Sequence, residues 1–345
     1  MERRPLGDTG LDVSVICLGT MTFGEQNTEA EAHQQLDCAF DHGVNFIDTA
    51  EMYAIPSCAR TQGLTEQYIG TWLTASRAPR DRVVVATKVT GPSESMDYLR
   101  GGPRLNAKHI NQAIDDSLRR LRTDHIDLYQ VHWPERSTNY FGQLGYPCED
   151  DQDAIPIDET YETLCRLVES GKARAIGVSN ETPWGVSEYL RLSRENSGPR
   201  IASIQNPYSL LNRTFEVGLA EIAVRERCGL LAYSPLGFGV LTGKYQRGRP
   251  KGSRLQRWNY FTRYTNPQAK AATAKYLSLS RQYDLTPAQM ALSFIRQQPF
   301  VTSVIIGATT MEQLEENLGS AHLELPRQLL REIDAIHEIQ PNPAP

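Results

Sequence analysis

The chain lacks any uninterrupted apolar run of the ~18 to 20 residues a membrane-crossing helix needs, so no span is expected. Its opening stretch, MERRPLGDTG, is charged and has no apolar leader core, so no secretory signal is expected. It also lacks a positive balance: 36 Lys and Arg against 41 Asp and Glu leave a formal charge of -5, which argues against a nucleic-acid partner. The six cysteines (17, 38, 58, 148, 165 and 228) form no CxxC pair and are thin for a disulfide framework. A reduced, cytoplasmic protein follows as the simplest expectation. The seven histidines show no zinc-like spacing, so no metal site is expected.

What is present is a repeated alternation. The 345 residues are 40% hydrophobic, enough for a sizeable core. RRPL and LDV flank the turn-rich Gly7-Asp8-Thr9-Gly10 and read as an N-terminal β-hairpin. Eight short apolar runs then follow: VICLG, NFIDTA, VVVATK, IDLYQVH, ARAIGVS, IASIQN, GLLAYSPL and VTSVIIG. Helix-periodic segments separate them, such as Ile110, Ile114, Leu118 and Leu121 in 107–121. Links of that length suit right-handed parallel crossovers. The expectation is one α/β domain over 1–345: a (β/α)8 TIM barrel with extra C-terminal helices and a long loop after its fourth strand. The competitor, a doubly wound open sheet, predicts a Gly-rich turn after the first strand. GTMTFGE stands there instead of GxGxxG.

In such barrels active sites lie at the carboxyl ends of the strands. Asp48, Lys88 and His132 fall at the ends of the second, third and fourth runs, and Tyr53 follows Asp48 by five residues. Taken singly, Asp48 also reads as a helix cap, Lys88 as a solvated strand end, Tyr53 as a rim aromatic and His132 as a core histidine. Together they suit carbonyl reduction. A tyrosine can protonate the developing oxyanion, and a nearby ammonium is expected to lower its pKa from ~10. Lys88 fills that role, Asp48 holds Lys88 charged, and His132 orients the substrate oxygen.

The segments GTMTFG, FIDTAEMY, VVVATK, LYQVHWP, GKARAIGVSN, IQNPYSLLNR, YSPLGFGVLTGKY and IIGATTMEQLEEN resemble the aldo-keto reductase superfamily over nearly the whole chain. NETPWGVSEYL, QGLTEQYIG and the long loop after HWPE resemble its bacterial Tas-like branch. The resemblance implies NADPH-dependent reduction of aldehydes, with ketones as the further class. Tyr53 would be the proton donor, supported by Lys88 and Asp48, with His132 orienting the carbonyl. It also leaves open a nicotinamide-bound interaction subunit like the potassium-channel β-subunits.

A cofactor NADP(H) is implied in the same way. Ser179, Asn180 and Gln205 would bond the nicotinamide carboxamide. Tyr233 can stack on its ring or simply pack in the core. Ser234, Leu236, Gly239 and Lys244 match the family's cofactor-clasping loop, and Arg254 resembles a phosphate-contacting arginine. Gly307 to Thr309 lead into a helix N-terminus, where free N–H groups suit a phosphate; Thr309 or Thr310 can equally cap that helix. By resemblance, Gly307, Thr309, Gln313 and Asn317 surround the adenosine end and Glu316 binds the adenine amino group. The lysine-arginine pair that some branches use at the 2'-phosphate is missing.

Pro134 to Pro156 is irregular and long for a compact unit, which marks a functional loop or a plain surface one. It carries Tyr140, Phe141, Leu144 and Tyr146, then the acidic Glu149, Asp150, Asp151 and Asp153. Trp133 at its root is the residue expected to face a small carbonyl substrate. The oligomeric state is left open by the surface pattern.

Overall fold

A computed structural model describes residues 1–75, 78–149 and 151–345; Asp150 of the acidic group lies outside them. The hairpin strands β1 (Arg3–Pro5) and β2 (Asp12–Ser14) pair antiparallel. Eight parallel strands then close into a barrel in chain order: β3 (Ile16–Gly19), β4 (Phe46–Asp48), β5 (Val84–Val89), β6 (Ile126–Val131), β7 (Ala173–Ser179), β8 (Ile201–Pro207), β9 (Leu230–Tyr233) and β10 (Val301–Ile306). β10 returns to β3, with Ile305 opposite Cys17, so the sheet has no free edge.

Helices α1 (Glu29–Asp41), α2 (Leu64–Ala75), α3 (Ala107–Leu121), α4 (Ile157–Glu169), α5 (Pro183–Glu195) and α6 (Phe215–Arg225) link successive strands from β3 to β9. Three more, α7 (Arg254–Arg257), α8 (Pro267–Gln282) and α9 (Pro287–Arg296), lie between β9 and β10. α10 (Met311–Gly319) and α11 (Arg327–Ile339) complete the chain. The start signals are chemical. Thr28 and Glu31 form a reciprocal capping box on α1, and Asn106, Thr182, Asn266 and Thr286 cap α3, α5, α8 and α9. Proline opens α5, α8 and α9, where its missing N–H costs no helix bond.

Two apolar layers hold the barrel. Outside it, stripes such as Ile110, Ala113, Ile114 and Leu121 of α3 pack on the strands. Each fully buried aliphatic side chain contributes roughly 1.5–3 kcal/mol. Inside, Leu6, Leu11 and Val13 of the hairpin join Cys17, Phe46, Leu128 and Leu231, plugging the amino-terminal end. The carboxyl end is left for the site. Between β6 and α4 the described residues form no helix or strand, as the long-loop reading expects.

Candidate active site

The two-residue period of a strand delivers the polar set. Phe46, Val84, Ala86 and Leu128 face the barrel interior. The same alternation turns Asp48, Lys88 and Gln130 inward, one layer nearer the mouth. Lys88 is the penultimate residue of β5 and fully buried. Its Nζ donates to Asp48 Oδ2 and to Thr49 O, both at 2.7 Å. Asp48 Oδ1 accepts from Gln205 Nε2 at 2.8 Å and Gln130 Nε2 at 3.4 Å. A buried charge pair is tolerated when its remaining lone pairs are bonded in this way.

Tyr53 lies on the turn after β4. Its ring centroid is 5.3 Å from Lys88 Nζ and 5.8 Å from the His132 ring. Burial raises the phenol pKa above its ordinary value, and the Asp48 charge raises it further; Arg254 opposes them. This direction is opposite to the sequence expectation. Two of the three Lys88 N–H groups go to Asp48 and Thr49, and loss of solvent dominates at the phenol. The chemical consequence still suits a proton donor, because a phenol held neutral carries its proton to the reacting oxygen. Burial, aided by Lys88, keeps His132 well below the usual imidazole range, so the ring is neutral at physiological pH. Its Nδ1 is buried without a protein partner. A neutral imidazole with one N–H can polarise a carbonyl.

A cleft of about 1340 Å³ opens above this layer. Trp133, every cofactor candidate and every catalytic candidate except Lys88 line it, and Lys88 lies beneath the floor; Tyr146, Glu149, Asp151 and Asp153 of the long loop stand outside the lining. Trp133 forms one wall. Its Nε1 donates to Pro92 O at 3.0 Å, and its ring lies 5.0 Å from His132 and 5.6 Å from Phe141. A Cβ on Gly91 would sit 2.5 Å from the indole, so only glycine allows that seat. Tyr140, Phe141 and Leu144 line the cleft with it, whereas Tyr146 is exposed away from the lining.

Farther along, Asn180 adopts a left-handed backbone, φ 53°, and braces three strand ends. Its Nδ2 donates to His132 O at 2.8 Å, and its Oδ1 accepts from Tyr233 Oη at 2.6 Å. Ser179 Oγ donates to Gln205 O at 2.8 Å. These four candidates thus hold the mouth together as well as lining it. After β9, Gly239 (φ 86°) lets Lys244 fold over the backbone: an added Cβ would lie 2.8 Å from Nζ. Arg254 stacks on Phe238 and Phe261, 5.1 and 5.7 Å from their centroids. Neither cation has a carboxylate partner among the described residues, and burial lowers the pKa of both. At α10, Thr310 is the cap, while Gln313 Oε1 reaches back to Thr309 N at 3.1 Å. Asn317 Nδ2 bonds Gly307 O at 3.3 Å.

A parallel barrel with a buried lysine-aspartate pair under a tyrosine and a histidine defines a class. The family model for the aldo/keto reductase family matches residues 15–338, and the chain belongs to that family. It is an NADP(H)-dependent oxidoreductase that reduces aldehydes. Protein tas of Escherichia coli (strain K12) is 52% identical over 347 residues, covering 100% of both chains. The uncharacterized oxidoreductase YrpG of Bacillus subtilis is 32% identical, over 99% of this chain and 97% of its own. L-glyceraldehyde 3-phosphate reductase of E. coli is 32% identical, over 92% and 87%. The cleft fits a dinucleotide phosphate, offering two cations without acidic partners among the described residues, a helix N-terminus and the Tyr233 ring.

Sequence reasoning missed Gln130, Met21 and Arg263. Gln130 was findable, since it stands two residues before His132 and so shares its face. Met21, whose sulfur lies 3.9 Å from Arg254 Nη2, and Arg263, which donates to Pro345 O at 3.0 Å, carry no local signal. No helix is long and apolar enough to cross a membrane among the described residues.

Proposed function

We propose that this single-domain chain reduces small aldehydes in the cytoplasm, with ketones as secondary substrates, through Tyr53 as proton donor. The observation that carries the reading is the Tyr53 phenol beside the His132 ring, above the Lys88–Asp48 pair. NADPH, when bound, supplies the hydride. Ser179, Asn180, Gln205 and Tyr233 would hold its nicotinamide end. Ser234, Leu236, Gly239, Lys244 and Arg254 would clasp its phosphates. Gly307, Thr309, Gln313, Glu316 and Asn317 would take the adenosine end.

The chain's own residues then handle the carbonyl. His132 donates a hydrogen bond to the oxygen and fixes its direction. Tyr53 hands over its proton as negative charge develops there, because an alkoxide is a stronger base than a phenolate. Lys88 stabilises the phenolate left behind, and Asp48 holds Lys88 in place beneath it. Trp133, with Tyr140 and Phe141, forms the neutral wall that excludes water and selects the substrate's body. A cytoplasmic setting is supported by cysteines that are all unpaired.

Tyr53→Phe tests the reading. Turnover of an aldehyde panel, followed at the nicotinamide absorbance band, should fall by about 10²–10⁴-fold. NADPH affinity, read by fluorescence titration, should stay within about twofold, since one hydroxyl is removed from the chemistry and not from the clasp. Undiminished turnover would remove Tyr53 from this role.

A further inference from the structure

Two buried ion pairs hold β5, and only one touches the segment that carries Tyr53. Glu66 accepts from Thr87 Oγ1 and from Arg120 Nε, both at 2.6 Å, and so joins α2 and α3 to the strand's outer face. Glu51 stands at the mouth. Its carboxylate accepts from Arg100 Nη1 at 2.6 Å and Nη2 at 2.7 Å, and its Oε1 also accepts from Thr90 N at 2.7 Å. The two side chains are only 1% and 4% exposed, yet neither lines the cleft.

The backbone of Glu51 continues the tie. Its N–H donates to Lys88 O at 3.3 Å, and its carbonyl accepts from Gln62 Nε2 at 2.7 Å. Gly63 N then donates to Tyr53 O at 2.7 Å. The segment from Asp48 to Tyr53 is thereby bonded to Lys88 and to Thr90, on both sides of the strand end. Arg100 holds φ at 55°, a left-handed conformation unfavourable for a non-glycine residue. That conformation persists where the surroundings over-determine it, and here they include a two-oxygen bond to a buried carboxylate.

We propose that Glu51 and Arg100 are a positioning pair for the proton donor. Their ion pair clamps the Tyr53 segment to the strand end carrying Lys88, and so sets where the phenol stands relative to Lys88 and His132. The proposal rests on the donor role of Tyr53 given above. It requires arginine in particular: a planar fork meets both carboxylate oxygens at once, and an ammonium does not.

The test compares Glu51→Gln and Arg100→Lys with Glu66→Gln, the reference for a pair that only supports the wall. Readouts are kcat, KM, NADPH affinity, and the solvent deuterium isotope effect on kcat. With the phenol displaced, kcat should fall by about ten- to a hundredfold, as a misplacement near 1 Å can cost about 10²-fold. The isotope effect should rise as proton transfer becomes limiting, while NADPH affinity is unchanged. Glu66→Gln should lower the unfolding midpoint and leave kcat and the isotope effect alone. Arg100→Lys keeps the buried charges balanced and carries the same readout should Glu51→Gln fail to fold. Mouth-pair variants with wild-type kcat and isotope effect would overturn the proposal. Tyr53→Phe, run alongside, separates the claims. Full turnover there removes the donor role and the clamp's purpose with it; an inactive Tyr53→Phe beside a fully active Arg100→Lys removes only the clamp.

Discussion

The two ends of the cleft treat their cations differently. Lys88 is fully buried and bonded to a carboxylate and a carbonyl, each at 2.7 Å. Lys244 and Arg254 lie on the loop side without an acidic partner among the described residues; the guanidinium rests on two aromatic rings and a methionine sulfur. The first arrangement is complete before any ligand arrives. The second has no carboxylate among the described residues, and on the proposed function a cofactor phosphate would pair with it. On the proposed function, rigid strand ends would carry the chemistry and a loop with unspent charge would carry the binding.

Removing Lys88 should break the contrast most severely. Lys88→Met leaves Asp48 buried and uncompensated, at about 3–5 kcal/mol of stability. Urea unfolding should show that loss, and aldehyde turnover should vanish with it. An unchanged midpoint would mean that Gln130 and Gln205 satisfy Asp48 unaided. At the other end, Arg254→Met should weaken NADPH by roughly 1.5–3 kcal/mol, the worth of a hydrogen bond to a charged group. Its kcat at saturating NADPH should be near that of the wild type. Salt sharpens the comparison with a smaller effect: raising ionic strength should raise the Kd for NADPH and leave KM for a neutral aldehyde unmoved.

Acidity gives the smallest expected change. The raised Tyr53 phenol stays protonated beyond its ordinary value, and the depressed His132 stays neutral below its own. Neither titrates between about pH 6.5 and about pH 9, so kcat should be flat there. Stability has a definite sign. Below about pH 6.5 the unfolded chain takes up a proton at His132 that the folded chain refuses, so stability present above that pH is lost as pH falls. A kcat inflection near pH 6.5 with ordinary stability would assign His132 a charged state instead.

The barrel was legible because strands buried on both faces are nearly continuous in apolar residues, as in VVVAT and VIIG. The polar set was legible because strand ends place Asp48, Lys88 and His132 at a common mouth. The Tyr53 phenol was harder. Sequence suggests a neighbouring ammonium, but the sign of the pKa shift follows from burial, which depends on loops that pack over it. The ion pairs Glu51–Arg100 and Glu66–Arg120 were illegible for a related reason. Their partners are 49 and 54 residues apart, and isolated charges in a sequence look solvated. The same holds for Trp133, whose burial depends on Gly91 and Pro92 some forty residues earlier.

The contrast between the two ends reduces to one measurement: the NADPH-induced shift in the unfolding midpoint of Arg254→Met. Arg254 is half-buried and has no carboxylate partner among the described residues, so the cofactor-free fold has no ion pair to lose there and the midpoint without NADPH should equal or exceed that of the wild type. A tenfold weaker cofactor removes about 1.4 kcal/mol of ligand stabilisation, so the shift at a fixed NADPH concentration should shrink accordingly. A lowered midpoint without NADPH, together with an undiminished shift, would contradict the account and make Arg254 a structural residue of its loop.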